Sequence, residues 1–230
     1  MKRSATRGLA AAGALAMIAS AGAFAQQAPM TRGGKYDFSL YPLFTEKKTY
    51  NFEGGASART DVATGIGISW AQNFNDHWAA GIEGSWSSAN YHATVTPAAG
   101  NPNPAFNATG RVDAGTLHLF GNFNLLSAQF TPFITGGLGV TYIDSNIPSG
   151  PSQPVCWWYP YYGEVCSDVQ PTKSWNNFSY NAGVGLRWDA RRPDTFFFRG
   201  LANREWVDFG NAGSGTLYYD QIRLDFGMKY

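Results

Sequence analysis

The chain has 230 residues, and its 8 Trp, 12 Tyr and 16 Phe together outnumber its 17 Lys and Arg and 16 Asp and Glu. Charged residues make up 14% of it, against roughly a quarter in an average domain, and aromatics 16%, which excludes intrinsic disorder, a state of few aromatics and high net charge. A formal net charge of +1 provides no whole-protein field to steer a nucleic acid, and beyond residue 25 no run approaches the ~18 apolar residues of a helical membrane span.

Residues 1–25 read as an address. Lys2, Arg3 and Arg7 precede a short run of Ala, Leu, Met and Ile, and Ala23-Phe24-Ala25 fits a small-residue cleavage site, the pattern of a secretory signal peptide. The expected mature domain is 26–230.

Beyond that segment the hydrophobic period is two, the mark of strands with chemically different faces. Tyr36, Phe38 and Leu40 alternate with Lys35, Asp37 and Ser39, and Val62, Thr64, Ile66, Ile68 and Trp70 with small residues from Ala63 to Ala71. Trp78, Ala80, Ile82 and Trp86 alternate with Gly81, Glu83 and Ser85, and Leu117, Leu119, Phe123 and Leu125 with Thr116, His118, Phe120, Asn122 and Asn124. Ile134, Leu138, Val140 and Tyr142 face away from Thr135, Gly137, Gly139 and Thr141. The clearest window, 174–190, sets Phe178, Tyr180, Val184, Leu186 and Trp188 against Ser179, Asn181, Gly183, Gly185, Arg187 and Asp189. Phe196 and Phe198 stand opposite Arg199, and the final window sets Ile222, Leu224, Phe226, Met228 and Tyr230 against Gln221, Arg223, Asp225, Gly227 and Lys229. That makes eight windows, each near the roughly 9–11 residues with which a tilted strand crosses a bilayer.

A soluble barrel or sandwich would turn the apolar face inward and show large polar side chains outside. Here the second face is mainly Gly, Ala, Ser, Thr and Asn, interrupted by Glu83, Arg187, Arg199, Arg223 and Asp225, which suits a narrow polar interior. Aromatics near the stripe ends (Trp70, Trp78, Trp86, Tyr142, Trp188, Tyr36, Tyr230) suit girdles at two membrane interfaces. Alternation alone leaves a lipocalin-like soluble barrel open as the inverse arrangement. Connections alternate as well: short at 73–76, 127–130 and 191–194, and long or Gly-rich at 45–61, 88–110, 144–173 and 210–215. Short periplasmic turns and longer extracellular loops are the asymmetry of outer-membrane barrels, with both termini periplasmic.

The signal segment, the eight windows and the final strand ending in an aromatic residue (Ile222, Leu224, Phe226, Met228, Tyr230) resemble the small OmpA-like and OmpX-like outer-membrane barrels over essentially all of the mature chain. The resemblance implies an all-β fold, an eight-stranded antiparallel up-and-down transmembrane β-barrel integral to the outer membrane. It also implies that Phe226 and Tyr230 carry the signal read by the barrel-assembly machinery, although Phe is the usual last residue. No peptidoglycan-binding domain of the OmpA-like kind is expected after the eighth strand.

The inward charges Glu83, Arg187, Arg199, Arg223 and Asp225, with Asp37 near the periplasmic rim, read as a lumen cluster, either a salt-bridged plug or the lining of a narrow pore. His77, His92 and His118 have no metal-ligand spacing, so neither metal nor cofactor is expected, and an inward His118 reads as a hydrogen-bonded lumen residue. G-x-S-x-G, H-E-x-x-H and P-loop patterns do not occur, and no Ser and His stand out as a nucleophile–base pair. In the third long loop, Cys156 and Cys166 are expected to pair in an oxidising compartment and to ring Trp157, Trp158, Tyr159, Tyr161 and Tyr162, an exposed patch for interaction or a cover for the barrel rim. The function read from these features is a non-enzymatic outer-membrane protein with envelope-structural and surface-interaction roles. Its partners are outer-membrane lipid and lipopolysaccharide, the assembly machinery, and a host or cell-surface ligand at the loops. A small pore for ions or hydrophobic compounds, of the OmpW type, and a lipid A-modifying enzyme are the alternatives.

Overall fold

Period-two alternation becomes a closed wall of strands in the computed structural model, which describes residues 31–51, 57–95, 106–148, 153–169, 171–190, 195–209 and 216–230. The strands in chain order are β1 (Tyr36–Thr45), β2 (Lys48–Asn51), β3 (Ser57–Thr60), β4 (Ala63–Asn73), β5 (Trp78–Val95), β6 (Phe106–Asn124), β7 (Phe130–Pro148), β8 (Gln153–Tyr159), β9 (Gly163–Val169), β10 (Thr172–Asp189), β11 (Phe196–Asp208) and β12 (Thr216–Lys229). Eight of them, β1, β4, β5, β6, β7, β10, β11 and β12, pair antiparallel with their neighbours in that order, and β12 returns to β1. Tyr36 and Tyr230 exchange backbone hydrogen bonds of 2.8 and 3.1 Å where first and last strands meet. A closed antiparallel wall leaves no unpaired edge, which is what lets strands cross lipid. In the β1–β12 ladder, pairing runs from Asp37–Lys229 to Leu40–Phe226 and resumes in the same register at Leu43–Arg223. The interruption falls at Pro42, which has no N–H to donate.

Outward positions are apolar: Leu40, Ile68, Leu119, Leu138, Val184 and Phe226 are among the exposed large hydrophobics of the belt. At its lower end the rings of Tyr36 and Trp70 stack at 5.4 Å and those of Tyr36 and Tyr230 at 5.7 Å, while the Trp70 indole donates to the Tyr230 hydroxyl at 2.9 Å. Higher up, Tyr180 and Trp206 stack at 5.2 Å. Amphipathic rings of this kind settle at the headgroup level. An apolar exterior around a polar interior is the inverse of a soluble barrel, so the wall spans a membrane. Among the described residues no helix is long and apolar enough to do so.

Several expectations change. The strands run beyond 9–11 residues: β5 and β10 have 18 each, and β6 and β7 have 19 each. Residues 88–95 and 106–110, expected as loop, therefore extend the wall on the extracellular side. The stretch 45–61, also expected as loop, carries β2 and β3, and β3 joins the sheet by pairing Ser57–Thr60 with Thr94–Tyr91 of β5. Along 89–94 the apolar residues Ala89, Tyr91 and Ala93 turn inward and Asn90, His92 and Thr94 outward, the reverse of the membrane-crossing segments, so the apolar-out pattern used to find the strands stops there. The expected signal peptide 1–25, the turn 191–194, and most of the Pro/Asn-rich stretch 96–109 lie outside the described residues.

Short turns lie at the end where the chain termini meet. At 74–77 the Asn75 side chain accepts from the backbone N–H groups of His77 and Trp78, both at 2.8 Å, which tightens the link. Short turns are periplasmic in outer-membrane barrels, so both described ends lie on that side.

Candidate functional site

Alternation brings every second residue of each strand into a lumen that eight strands leave just wide enough for side chains. That lumen is built in storeys. At the periplasmic floor, Arg187 holds Asp37 at 2.6 Å and Asp189 at 2.9 Å. Asp189 is also reached by Arg32 at 2.8 Å and Lys229 at 3.1 Å. Arg32, which precedes β1, closes the floor: its guanidinium also donates to the carbonyls of Ala128 at 2.6 Å and Leu126 at 3.0 Å. Above it, Phe197 lies between the guanidinium carbons of Arg187, 4.4 Å from its ring centre, and Arg199, 5.0 Å away. Arg199 pairs with Asp225 at 2.7 Å and donates to the hydroxyls of Ser39 and Ser69. One storey higher, Arg223 binds Glu83 at 2.6 Å and Asp225 at 3.0 Å and lies over the Tyr41 ring, 4.2 Å from its centre. The five residues of the expected lumen cluster are thus in one buried chain of charge, and Arg32, Asp37, Asp189 and Lys229 extend it downward.

Inward glycines make room for the larger rings. A Cβ on Gly67 would meet the Tyr41 ring, one on Gly185 the Phe133 ring, and one on Gly227 the Phe197 ring. The Gly-rich inner face is the negative image of these rings.

Above these ion pairs comes a hydrogen-bonded network around His118. Asn181 donates to Glu83 at 3.3 Å and lies 3.1 Å from His118 Nδ1. His118 Nε2 lies 2.7 Å from the Ser179 hydroxyl, and Thr141 bonds Ser179 and Glu205 at 2.8 and 3.0 Å. A serine–histidine pair within hydrogen-bond reach therefore exists, where none stood out in the sequence, because β6 and β10 flank β7 and bring His118 and Ser179 together over Gly139. Ser179 is 0% exposed, and the space beside His118 and Glu205 is about 10 Å³, room for one water at most and none for an acyl group. The pair is a hydrogen-bonded lumen contact. Glu205 shares the inward parity of Arg199, six residues earlier, which is the signal that could have found it.

At the height of Tyr219 the interior changes character. A cavity of about 420 Å³ opens to the extracellular side, lined by Ala63, Ala89, Ala114, Ile143, Val207 and Leu217 with Tyr91, Trp175 and Tyr219. The phenol of Tyr50, from β2, stands at its rim, where burial, with Tyr218 and Asp220 nearby, pushes it up to about 12. It stays uncharged across physiological pH.

Beyond the wall, β8 and β9 form a separate two-stranded hairpin closed by the Cys156–Cys166 disulfide. Val155, Trp157 and Tyr159 share one face with Val165, while Trp158, 75% exposed, lies on the other, and the turn exposes Tyr161 and Tyr162 by 94% and 83%. Residues 153–162 are exposed throughout, so this hairpin stands clear of the barrel rim.

No protein-family model and no curated protein matches the chain. Among solved structures it is similar to the outer membrane protein OprG from Pseudomonas aeruginosa, at 13% identity over 87% of this chain and 98% of that one, with a TM-score of 0.50. It is also similar to Ail, the attachment invasion locus protein of Yersinia pestis, solved in complex with the heparin analogue sucrose octasulfate, at 13% identity over 86% of this chain and 99% of that one, with a TM-score of 0.44. The chain has the fold of the small eight-stranded outer-membrane β-barrels, and an integral outer-membrane location goes with that fold and its lipid-facing belt.

Proposed function

We propose that this protein is a non-enzymatic outer-membrane barrel, plugged by its own interior charges, that contributes to envelope structure and binds at the cell surface through its extracellular loops. The β8–β9 hairpin is the observation that carries the surface role. Its Trp157 and Tyr159 on one face, Trp158 on the other and Tyr161 and Tyr162 at the turn expose aromatic rings on every side of a hairpin set apart from the barrel and clasped by Cys156–Cys166. Monomers seldom leave such a patch without a use. Stiff aromatic side chains lose little entropy on binding, and a disulfide closing this short loop removes on the order of 3 kcal/mol of unfolded-chain entropy. Replacing both Trp157 and Trp158 by Ala is expected to cut attachment of expressing cells to host cells or neighbouring cells at least tenfold at equal surface display. Unchanged attachment rejects the surface role.

The plugged lumen is supported by the storeys of ion pairs from Arg32 to Glu83, which leave no open path in a barrel of this width. Residues 1–25 serve as the signal peptide in this reading, and outer-membrane lipid and lipopolysaccharide surround the belt. Phe226 and Tyr230 face outward at 53% and 67% exposure, on the last strand where assembly machinery can read them. The pair of substitutions Phe226→Ala and Tyr230→Ala is expected to lower the fraction of folded, heat-modifiable protein in outer-membrane preparations several-fold. Refolding in vitro into lipid vesicles should be nearly unaffected, and an equal loss in both settings would make the two residues merely stabilising.

A further inference from the structure

The two faces of the β8–β9 hairpin differ in chemistry. Alternation along its ladder puts Val155, Trp157, Tyr159 and Val165 on one side, with no charge among them. On the other side stand Trp158 directly opposite Glu164, the Cys156–Cys166 disulfide, and Asp168 opposite Pro154. Trp158, Glu164 and Asp168 are all exposed, and a carboxylate oxygen of Glu164 lies within 4.8 Å of both sulfur atoms. Nothing on the loop offsets these carboxylates, because the chain has no Lys, Arg or His from Thr141 to Thr172. An indole beside a carboxylate attracts a single cation twice, through the ring face and through the acid.

We propose that the disulfide face of the hairpin binds an extended, Lys- and Arg-rich peptide segment of a partner protein. This assignment rests on the surface role proposed for the hairpin and names the chemistry of its partner. Among the described residues β9 pairs with β8 alone, so its other edge is open to a further strand, and addition to an open edge is a general way of holding an extended peptide. Glu164 and Asp168 are four residues apart on one face of β9, about 13 Å along an extended backbone. A peptide laid along that edge presents its residues i and i+4 at the same spacing, so bases in that pattern meet both acids at once. The base at Glu164 also reaches the Trp158 ring. An anionic glycan would meet two like charges and no base to receive it. A neutral glycan could stack on Trp158 but would leave both carboxylates unused.

The test uses the whole protein in phosphatidylcholine nanodiscs, which carry no net charge, and the fluorescein-labelled nonapeptide KSTSKSTSK, followed by anisotropy. Saturable binding is expected. Glu164→Gln combined with Asp168→Asn should weaken it about tenfold and Trp158→Ala several-fold, while Asp144→Asn, an acid outside the hairpin, should leave it within twofold. Glu164→Lys combined with Asp168→Lys should reject KSTSKSTSK and take up ESTSESTSE, a gain that a damaged hairpin cannot produce. Undiminished binding by the Gln/Asn variant, or a heparin hexasaccharide bound as tightly as the peptide, overturns the proposal. So does binding of neutral cellohexaose that the Gln/Asn variant retains, which would make a glycan the occupant. Attachment of expressing cells separates this proposal from the surface role. Loss with Trp157→Ala and Trp158→Ala but not with Glu164→Gln and Asp168→Asn keeps that role and removes the basic partner, whereas unchanged attachment in both removes the two together.

Discussion

Replacing Arg187 by Met should lower the free energy of unfolding by about 3–5 kcal/mol, the loss expected when one partner of a buried ion pair is removed. Arg187 is 1% exposed and serves two carboxylates and a ring: Asp37 at 2.6 Å, Asp189 at 2.9 Å and the face of Phe197. Methionine retains most of the volume, but it leaves Asp37, 2% exposed, without its guanidinium, whereas Asp189 still has Arg32 and Lys229. The damage is therefore concentrated on Asp37. Adding Asp37→Asn to Arg187→Met should recover most of the loss, because the orphaned charge is gone. Urea titration of the vesicle-inserted protein, followed by the heat-modifiable band, measures both values. A shift below about 1 kcal/mol for Arg187→Met, or no recovery in the double variant, would show that the floor of the barrel is hydrated and that these pairs are not its seal.

Gly227→Val is expected to destabilise the barrel at the upper end of the about 1–3 kcal/mol typical of overpacking. The nearest atoms to a Cβ at Gly227 are those of the Phe197 ring, which is 0% exposed and held between Arg187 and Arg199. It cannot step aside without breaking the pairing on both sides. Phe197→Leu in the Gly227→Val background should restore part of the stability, a coupling that a double-mutant cycle would read directly. Gly200→Ala makes the control. Its added Cβ would meet only Leu224 at 3.8 Å, an ordinary contact, and losing a strand glycine stiffens the unfolded chain, so this variant should be neutral or stabilised by up to about 1 kcal/mol. If Gly227→Val were as mild as Gly200→Ala, the inner ring packing would be wrong.

The two substitutions also show where sequence reading succeeds and where it stops. Gly227 and Arg223 lie on the inner face by parity alone, and so does Glu205, at an even distance from Arg199 along β11. Arg32 is different: it precedes any strand, so no period marks it, yet it bonds residues 157 and 96 positions away. The extracellular strand extensions were hidden for a different reason, since above the membrane the polar side chains of β5 turn outward and its apolar ones inward, which inverts the pattern that marks the crossing segments. The hairpin was legible only as a pair of cysteines around aromatics; that it stands free of the barrel rim is a property of its placement.

The sequence by itself determined that the chain is built of strands, that eight of them carry the alternating pattern, and which residues of each share a face, because a period of two is a local property of an extended backbone; that the apolar face is the outer one was decided by the closed wall. It determined, too, that the inner face would be small-sided and charged. Only the tertiary structure decided which arginine answers which carboxylate, that Ser179 meets His118, and that the lumen is charged below Tyr219 and hollow above it. Parity states that a side chain points inward; the stagger of eight strands around a closed ring sets the height at which it arrives, and that stagger is a long-range agreement no single strand carries.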